Sequence, residues 1–435
     1  MNILYLIISF VILIVGLWYF GKHKATLNVF LLFYVFAFLY CAAIPIENIL
    51  SPGNSFDNPF KYTAKAFEKS LIMFFLGTIG FSVGLVFMRL RIKIIPTVVE
   101  KKVRGLLSIS VVSFMSLILL LVCYRSEVLI SIDSYIGNYS STYNNPIYAY
   151  LKETLFFSLS ILISILFLMK ERKWIVSGIV VSLILSLFGF LTRDKDPLLL
   201  SVIPYLFLAA PIYNRIKINR IVKGVAVFTL VVIVLPIISL QYSLYRGNDP
   251  RTLSQALTNE GIYTFFDARG PYQSIGLELM NERSSFYYGK TYLDGFTYWI
   301  PRFVWPQRSM GPAEEFAKQH MKDWKPGMGL GYSPIAEAYS NFGILGAFFH
   351  FLLYSIVIGL LFKLTKKLFV NSSEEFITAL FFVWLVYNLV MMFRGGFSLP
   401  STYIRYILPF FFAYLFFDKY KIHLFVWNKL QRILK

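Results

Sequence analysis

Arginine is the residue type in this chain whose placement points to chemistry. Arg193 closes one apolar block, Arg246 and Arg251 follow a second, Arg394 closes a third within Met391-Met392-Phe393-Arg394-Gly395-Gly396, and Arg405 opens the last. A guanidinium presents a planar fork that binds phosphate oxygens in pairs, so several at one level suit a phosphate or pyrophosphate. Snorkelling to lipid headgroups accounts for any single one. Five at a common depth make a shared anion site an equally good expectation. The block closed by Arg394 also carries Asn388 and, two helical turns before the arginine, Tyr387 on the same side.

One carboxylate stands beside them. In Gly331-Tyr332-Ser333-Pro334-Ile335-Ala336-Glu337, Ser333 has the chemistry of an N-cap and Pro334 that of a first helical residue. Glu337 falls one place too late for a capping box. At helical spacing Ser333, Glu337, Ser340 and Asn341 share a face, while Gly343 and Gly346 let another helix come close. A carboxylate at a membrane boundary costs free energy unless it is paired or working, which favours a functional Glu337 over a structural ion pair.

Upstream, residues 244–334 carry ten basic and nine acidic side chains among many Tyr, Phe, Trp, Gly and Pro. They include Asp267-Ala268-Arg269-Gly270-Pro271-Tyr272 and Trp299-Ile300-Pro301-Arg302-Phe303-Val304-Trp305-Pro306-Gln307-Arg308. Rings that pack on the C–H face of a sugar, beside Arg and Asp that bond its hydroxyls, make such a segment fit for glycan. An ordered cap with a small aromatic core fits the composition equally well. Other signals carry less. Asp194-Lys195-Asp196 has the D-x-D form that holds a metal and a diphosphate in nucleotide-sugar enzymes. It falls on the outer side, where nucleotide sugars are absent, so the two acids stand only as polar groups near the cleft. His350 reads as a neutral, hydrogen-bonded histidine, and nothing near His320 has metal-ligand spacing. Walker, G-x-S-x-G and dinucleotide patterns are absent.

The elements that must hold these residues are membrane helices. The chain is 57% hydrophobic and 15% charged, with a mean hydropathy of +0.63, too little polar surface to clothe a soluble domain. Its apolar blocks match the ~20 residues that cross a ~30 Å hydrocarbon core, and predict spans at 2–20, 26–45, 68–88, 105–124, 153–169, 174–192, 197–213, 224–243, 338–362, 375–393 and 402–417. No removable signal peptide is expected. The expected fold is therefore all-α and polytopic, with about eleven spans (ten to twelve). Spans one to eight occupy 1–243, one large outer loop 244–334, spans nine to eleven 335–417, and a basic amphipathic tail 418–435.

One alternate set of short loops, with the tail, holds 23 Lys and Arg, and the other set about nine, counting Lys69 and Arg405 just inside the adjoining spans. Basic loops stay cytoplasmic, so the N-terminus is expected outside and the C-terminus inside. The net charge of +19 then reflects attraction to anionic lipid rather than nucleic acid. Cys41 and Cys123, in spans near their outer ends, read as small hydrophobes rather than a disulfide pair.

The runs Ile300-Pro301-Arg302-Phe303-Val304-Trp305-Pro306 and Gly331-Tyr332-Ser333-Pro334-Ile335-Ala336-Glu337-Ala338-Tyr339-Ser340-Asn341-Phe342-Gly343-Ile344-Leu345-Gly346 resemble the bacterial oligosaccharide repeat-unit polymerases, the Wzy-type enzymes of O-antigen and capsule synthesis. An arginine closing the penultimate span (Arg394) and one large late outer loop add to the similarity. The family's pattern of Arg, ten residues and Gly is not clear here, since neither Arg246 nor Arg251 has a glycine eleven residues on.

The resemblance implies a membrane glycosyltransferase of GT-C-like architecture in the inner (cytoplasmic) membrane. It would move a growing glycan from undecaprenyl pyrophosphate onto a newly flipped, lipid-linked repeat unit, outside the cytoplasm. It implies no metal, nucleotide or other cofactor. Its partners would be the undecaprenyl-pyrophosphate-linked donor and acceptor, membrane lipid, a chain-length regulator and a flippase. Under it Arg193, Arg394 and Arg405, with Arg246 or Arg251, take the pyrophosphate. Glu337, with Asp267 in reserve, is the base or orienter for the acceptor hydroxyl. Trp299, Trp305, Tyr332 and Tyr339 contact sugar, with Arg269, Arg302, Arg308, Ser333 and Asn341 as polar contacts. Two other readings use the same residues: a ligase with a different acceptor, and a flippase of lipid-linked sugar. A flippase predicts internal repeats, broken helices and charges deep in the spans, whereas here the polar residues gather at the outer face.

Overall fold

The computed structural model describes residues 2–20, 26–43, 45–46, 64–89, 92–93, 106–133, 145–169, 171–192, 194–209, 219–229, 237–238, 241–242, 244–245, 250, 252–255, 269–280, 286–300, 304–322, 324, 329, 331–370 and 372–419. The described residues are predominantly helical, with turns and extended residues between helices, a two-residue antiparallel pairing of Thr26–Leu27 with Ile92–Lys93 and an isolated bridge between Tyr332 and Gly395. The helices are α1 (Asn2–Phe20), α2 (Val29–Ala37, running on as a π-turn to Ala42), α3 (Ala64–Met88), α4 (Leu106–Cys123) and α5 (Arg125–Asp133). Next come α6 (Pro146–Leu168), α7 (Arg172–Thr192), α8 (Lys195–Val202), α9 (Arg220–Thr229), α10 (Arg269–Met280), α11 (Lys290–Gly295) and α12 (Pro312–His320). The last four are α13 (Pro334–Phe342), α14 (Gly346–Leu368), α15 (Glu374–Gly395) and α16 (Leu399–Tyr414).

Five of the described helices are long and apolar enough to cross a membrane: Lys65–Met88, Pro146–Leu168, Arg172–Thr192, Gly346–Leu368 and Glu374–Gly395. Ser108–Cys123 with Arg125–Ser131, bent by 91°, makes a sixth if the pair is one span. Leu4–Phe20 and Val29–Ala42 are shorter apolar helices. The protein is thus an integral membrane protein.

Local sequence sets the helix ends. Asn145 caps α6 ahead of Pro146, its side chain accepting from Tyr148 N–H. Ser373 caps α15, whose first turn holds Glu374 and Glu375 and whose last holds Arg394, charges that complement the helix dipole. α15 is the central post. Leu380 to Leu385 are each 0% exposed, and α2, α6, α8, α13, α14 and α16 all pack on it. α3 and α14 run parallel along their whole contact. Gly77 meets Phe351, Gly80 the Phe348 carbonyl, Gly84 Ser355, and Met88 Gly359. This small-residue stripe lets the backbones touch where lipid supplies no hydrophobic drive.

One expectation changes. The ninth span does not continue from Ser333: α13 stops at Phe342, and Gly343 (φ +68) turns the chain before α14 begins at Gly346. That conformation favours glycine, so the same small residues read as packing sites also break the helix. Ser333 and Pro334 do sit at the N-cap and first-turn positions.

Candidate active site

Four helix ends meet to form a charged vault. From α6, Lys152 reaches Asp194, the N-cap of α8, at 3.4 Å, with the lysine side chain 5% exposed. Asp194 also accepts the Asp196 N–H at 3.1 Å. Asp196 accepts the hydroxyl of Tyr387, from α15, at 3.1 Å. The next α6 residue, Glu153, pairs with Arg405 of α16 at 2.7 Å and accepts from Tyr406 at 2.9 Å. The Arg405 guanidinium lies over the rings of Tyr150 and Tyr406, and the Tyr406 ring sits 5.8 Å from that of Tyr387. Burial foremost, then the Asp194 carboxylate, raises the pKa of Asp196, while the Arg394 and Lys152 charges draw it down. Arg394, half-buried at the end of α15, thereby belongs to the same group. Charges withdrawn from water are tolerated only when paired, and this group mixes both signs from α6, α8, α15 and α16.

Glu337 lies in a second network, joined to the first through the α15–α16 turn. It is 0% exposed. Oε1 accepts from Thr291 of α11 at 2.6 Å, and Oε2 from the Phe397 backbone N–H at 2.7 Å. Gly396 (φ +76) passes so close that a Cβ there would stand 2.9 Å from Oε2. Asn341 holds the same seam. Its oxygen takes Gly289 N–H and its amide donates to Thr291 and the Glu337 carbonyl, each at 2.8 Å. Tyr332 N–H donates to the Arg394 carbonyl at 2.9 Å. Burial raises the Glu337 pKa to about 7, with the two hydrogen bonds opposing.

The remaining expected residues divide. Arg405 and Arg394 border one polar cluster, and the D-x-D acids, expected only as polar groups near the cleft, stand in it with Lys152, Glu153 and Tyr387. Lys152 and Glu153 open a long apolar helix, and no motif marks them; their one legible trait is charge at the head of a span. Tyr332, Ser333, Tyr339 and Asn341 are buried: Tyr332 bonds Glu278 at 2.8 Å, Ser333 N–H bonds Ser274 at 2.9 Å, and Tyr339 packs on Phe286. Trp299 and Trp305 are open, at 44% and 43% exposure. Arg308 folds onto Tyr298, bonding its carbonyl and lying 5.5 Å over its ring. Arg193, Arg246, Arg251, Asp267 and Arg302 lie outside the described residues, as does the side chain of Arg269. Cys41 and Cys123 are both free thiols, Cys41 buried against Ser333. His350 Nδ1 meets Tyr292 Oη at 2.8 Å. Among the described residues no His, Cys, Asp or Glu group has the form of a metal site.

These features define a polytopic helical membrane protein with a mixed-charge cluster where α6, α8, α15 and α16 meet. A family model described as O-antigen polysaccharide polymerase Wzy matches residues 1–421, nearly the whole chain, and the protein belongs to that family. No curated protein and no solved structure matches it significantly.

Proposed function

We propose that the chain polymerises undecaprenyl-pyrophosphate-linked repeat units into O-antigen or capsular polysaccharide, as a metal-independent glycosyltransferase acting on the outer side of the bacterial inner membrane. The layout that goes with this reading has about eleven spans and a large outer loop at 244–334. The N-terminus is outside, the tail cytoplasmic, and a flippase and a chain-length regulator work alongside. In support, α3 and α14 run parallel, as two odd-numbered spans of such a path must, and Thr26 pairs with Lys93, joining two loops assigned to the cytoplasm.

The observation that carries the reading is the vault. Arg405 pairs with Glu153 and Arg394 lies within electrostatic reach of Asp196, so the two arginines flank one polar cluster from separate helices, and pyrophosphate is the anion that leaves in this reaction. Because that leaving group is already good, the protein needs chiefly to bind its charge and hold the acceptor hydroxyl in line. Arg394 and Arg405 take the pyrophosphate, joined by Arg193 and by Arg246 or Arg251. Trp299 and Trp305 offer open faces to sugar. Glu337, buried with a donor on each oxygen, ties Thr291 of α11 to the α15–α16 turn at Phe397.

The test is an Arg394→Ala and Arg405→Ala series in a polymerase-deletion host, scored by the surface-glycan ladder at matched protein levels. Single-repeat glycan supports the reading. An unaltered ladder removes both arginines from the site, and loss of all surface glycan points to a ligase or flippase instead.

A further inference from the structure

Transfer to an acceptor hydroxyl releases a proton, and the carboxylates of the two networks differ in their fitness to take it. Glu337 is 0% exposed with a donor on each oxygen. Asp194 spends Oδ1 on the Asp196 N–H and Oδ2 on Lys152. Glu153 is held by Arg405 and Tyr406 through Oε2 and serves to neutralise the arginine. Of these four described carboxylates, Asp196 alone combines partial exposure with a single hydrogen-bonded oxygen and no ion pair: Tyr387 holds Oδ2. It also sits within electrostatic reach of Arg394, the charge assigned to the leaving group.

We propose that Asp196 is the general base of the transfer and that Tyr387 positions it; this rests on the polymerase reading above. The acceptor O–H gives its proton to the Asp196 carboxylate as its oxygen bonds the anomeric carbon of the donor. The bond from that carbon to the pyrophosphate oxygen breaks, and its electron pair leaves on the pyrophosphate, neutralised by Arg394 and Arg405. The charged and titratable groups facing Asp196 are Asp194 from α8, Lys152 and Glu153 from α6, Tyr387 and Arg394 from α15, and Tyr406 from α16. Burial and the Asp194 charge raise its affinity for a proton above that of an ordinary aspartate, which suits a base working near neutrality.

Vesicles carrying the full chain, supplied with lipid-linked repeat units extracted from a polymerase-deleted strain, give kcat and KM across pH, with added inorganic pyrophosphate as competitor. Asp196→Asn is expected to lower kcat by about 100-fold or more, leaving KM and pyrophosphate inhibition near wild type, and Asp196→Glu to recover part of the loss. Tyr387→Phe deletes a hydrogen bond that favours the carboxylate, so the acidic limb of kcat should move to higher pH. An Asp196→Asn enzyme with normal kcat overturns the proposal, as does one that keeps kcat at saturation but loses pyrophosphate inhibition, the mark of a residue that merely holds Arg394. If Asp196→Asn does not accumulate, an unmoved limb in Tyr387→Phe overturns it. Failure of the anion-site reading shows separately, as Arg394→Ala with pyrophosphate inhibition equal to wild type.

Discussion

Replacing Glu337 with Gln should flatten part of the protein's stability–pH curve. The folded carboxyl titrates at about 7 against an ordinary 4.5 because it is wholly buried. The folded state therefore holds a proton that the unfolded chain has released, and stability falls as pH rises between those values. A shift of that size corresponds to roughly 3 kcal/mol, present below the lower pKa and gone above the upper one. The substituted glutamine keeps the shape and cannot titrate; its oxygen can accept from Phe397 N–H while its amide faces the Thr291 oxygen. Intrinsic tryptophan fluorescence of purified protein in detergent, heated at intervals from about pH 5 to about pH 8, gives the two unfolding curves. Other titrating groups contribute equally to both proteins, so the difference between them is the readout. Wild type should lose its advantage progressively, amounting to several degrees in Tm. Parallel curves would refute the reasoning and mean that the carboxyl stays ionised within its two hydrogen bonds.

Gly80→Leu should remove folded protein from the membrane, because a side chain there meets the Phe348 carbonyl of α14 rather than a movable group; the fraction surviving mild detergent extraction measures it. Glu153→Gln should free the Arg405 guanidinium from its 2.7 Å partner and raise KM more than it lowers kcat, since the arginine keeps its charge but loses its aim. Equal KM for mutant and wild type would show that Glu153 does not position Arg405.

The membrane-helix class was legible because apolar blocks of bilayer length leave no other solution. Arg394 at the end of α15 was legible for the same reason: a charge closing a run of hydrocarbon length is conspicuous. Less legible was whatever depends on pairing across the bundle. Asp194 and Asp196 looked like an isolated triplet, and only the packing of α8 on α6 and α15 brings them to Lys152 and Arg394. Glu337 stood out as a carboxylate beside an apolar span, but its burial depends on α13 ending at Phe342, where Gly343 turns the chain, which periodicity did not show. Tyr332, at the end of the aromatic-rich segment, and Tyr339, just beyond it, turn inward to Glu278 and Phe286, a choice that composition does not encode.

The α15–α16 turn makes the two networks one device. Arg394 ends α15 with its carbonyl bonded to Tyr332, and three residues on, the Phe397 N–H is held by Glu337. Any displacement of α13, or of Thr291 on α11, must therefore move the backbone that carries the guanidinium. Coupling of this kind is reciprocal: if closing the cap on a glycan settles Arg394, then an anion on Arg394 settles the cap by the same free energy. On the proposed reading the link has a use, because a pyrophosphate-linked donor and an acceptor sugar would have to be present together before transfer begins. Glu337→Ala should accordingly weaken pyrophosphate inhibition even though the carboxylate never touches the anion, whereas Glu337→Gln, which keeps the clasp, should leave it near wild type. If both variants inhibit like wild type, the turn transmits nothing and the two networks act alone.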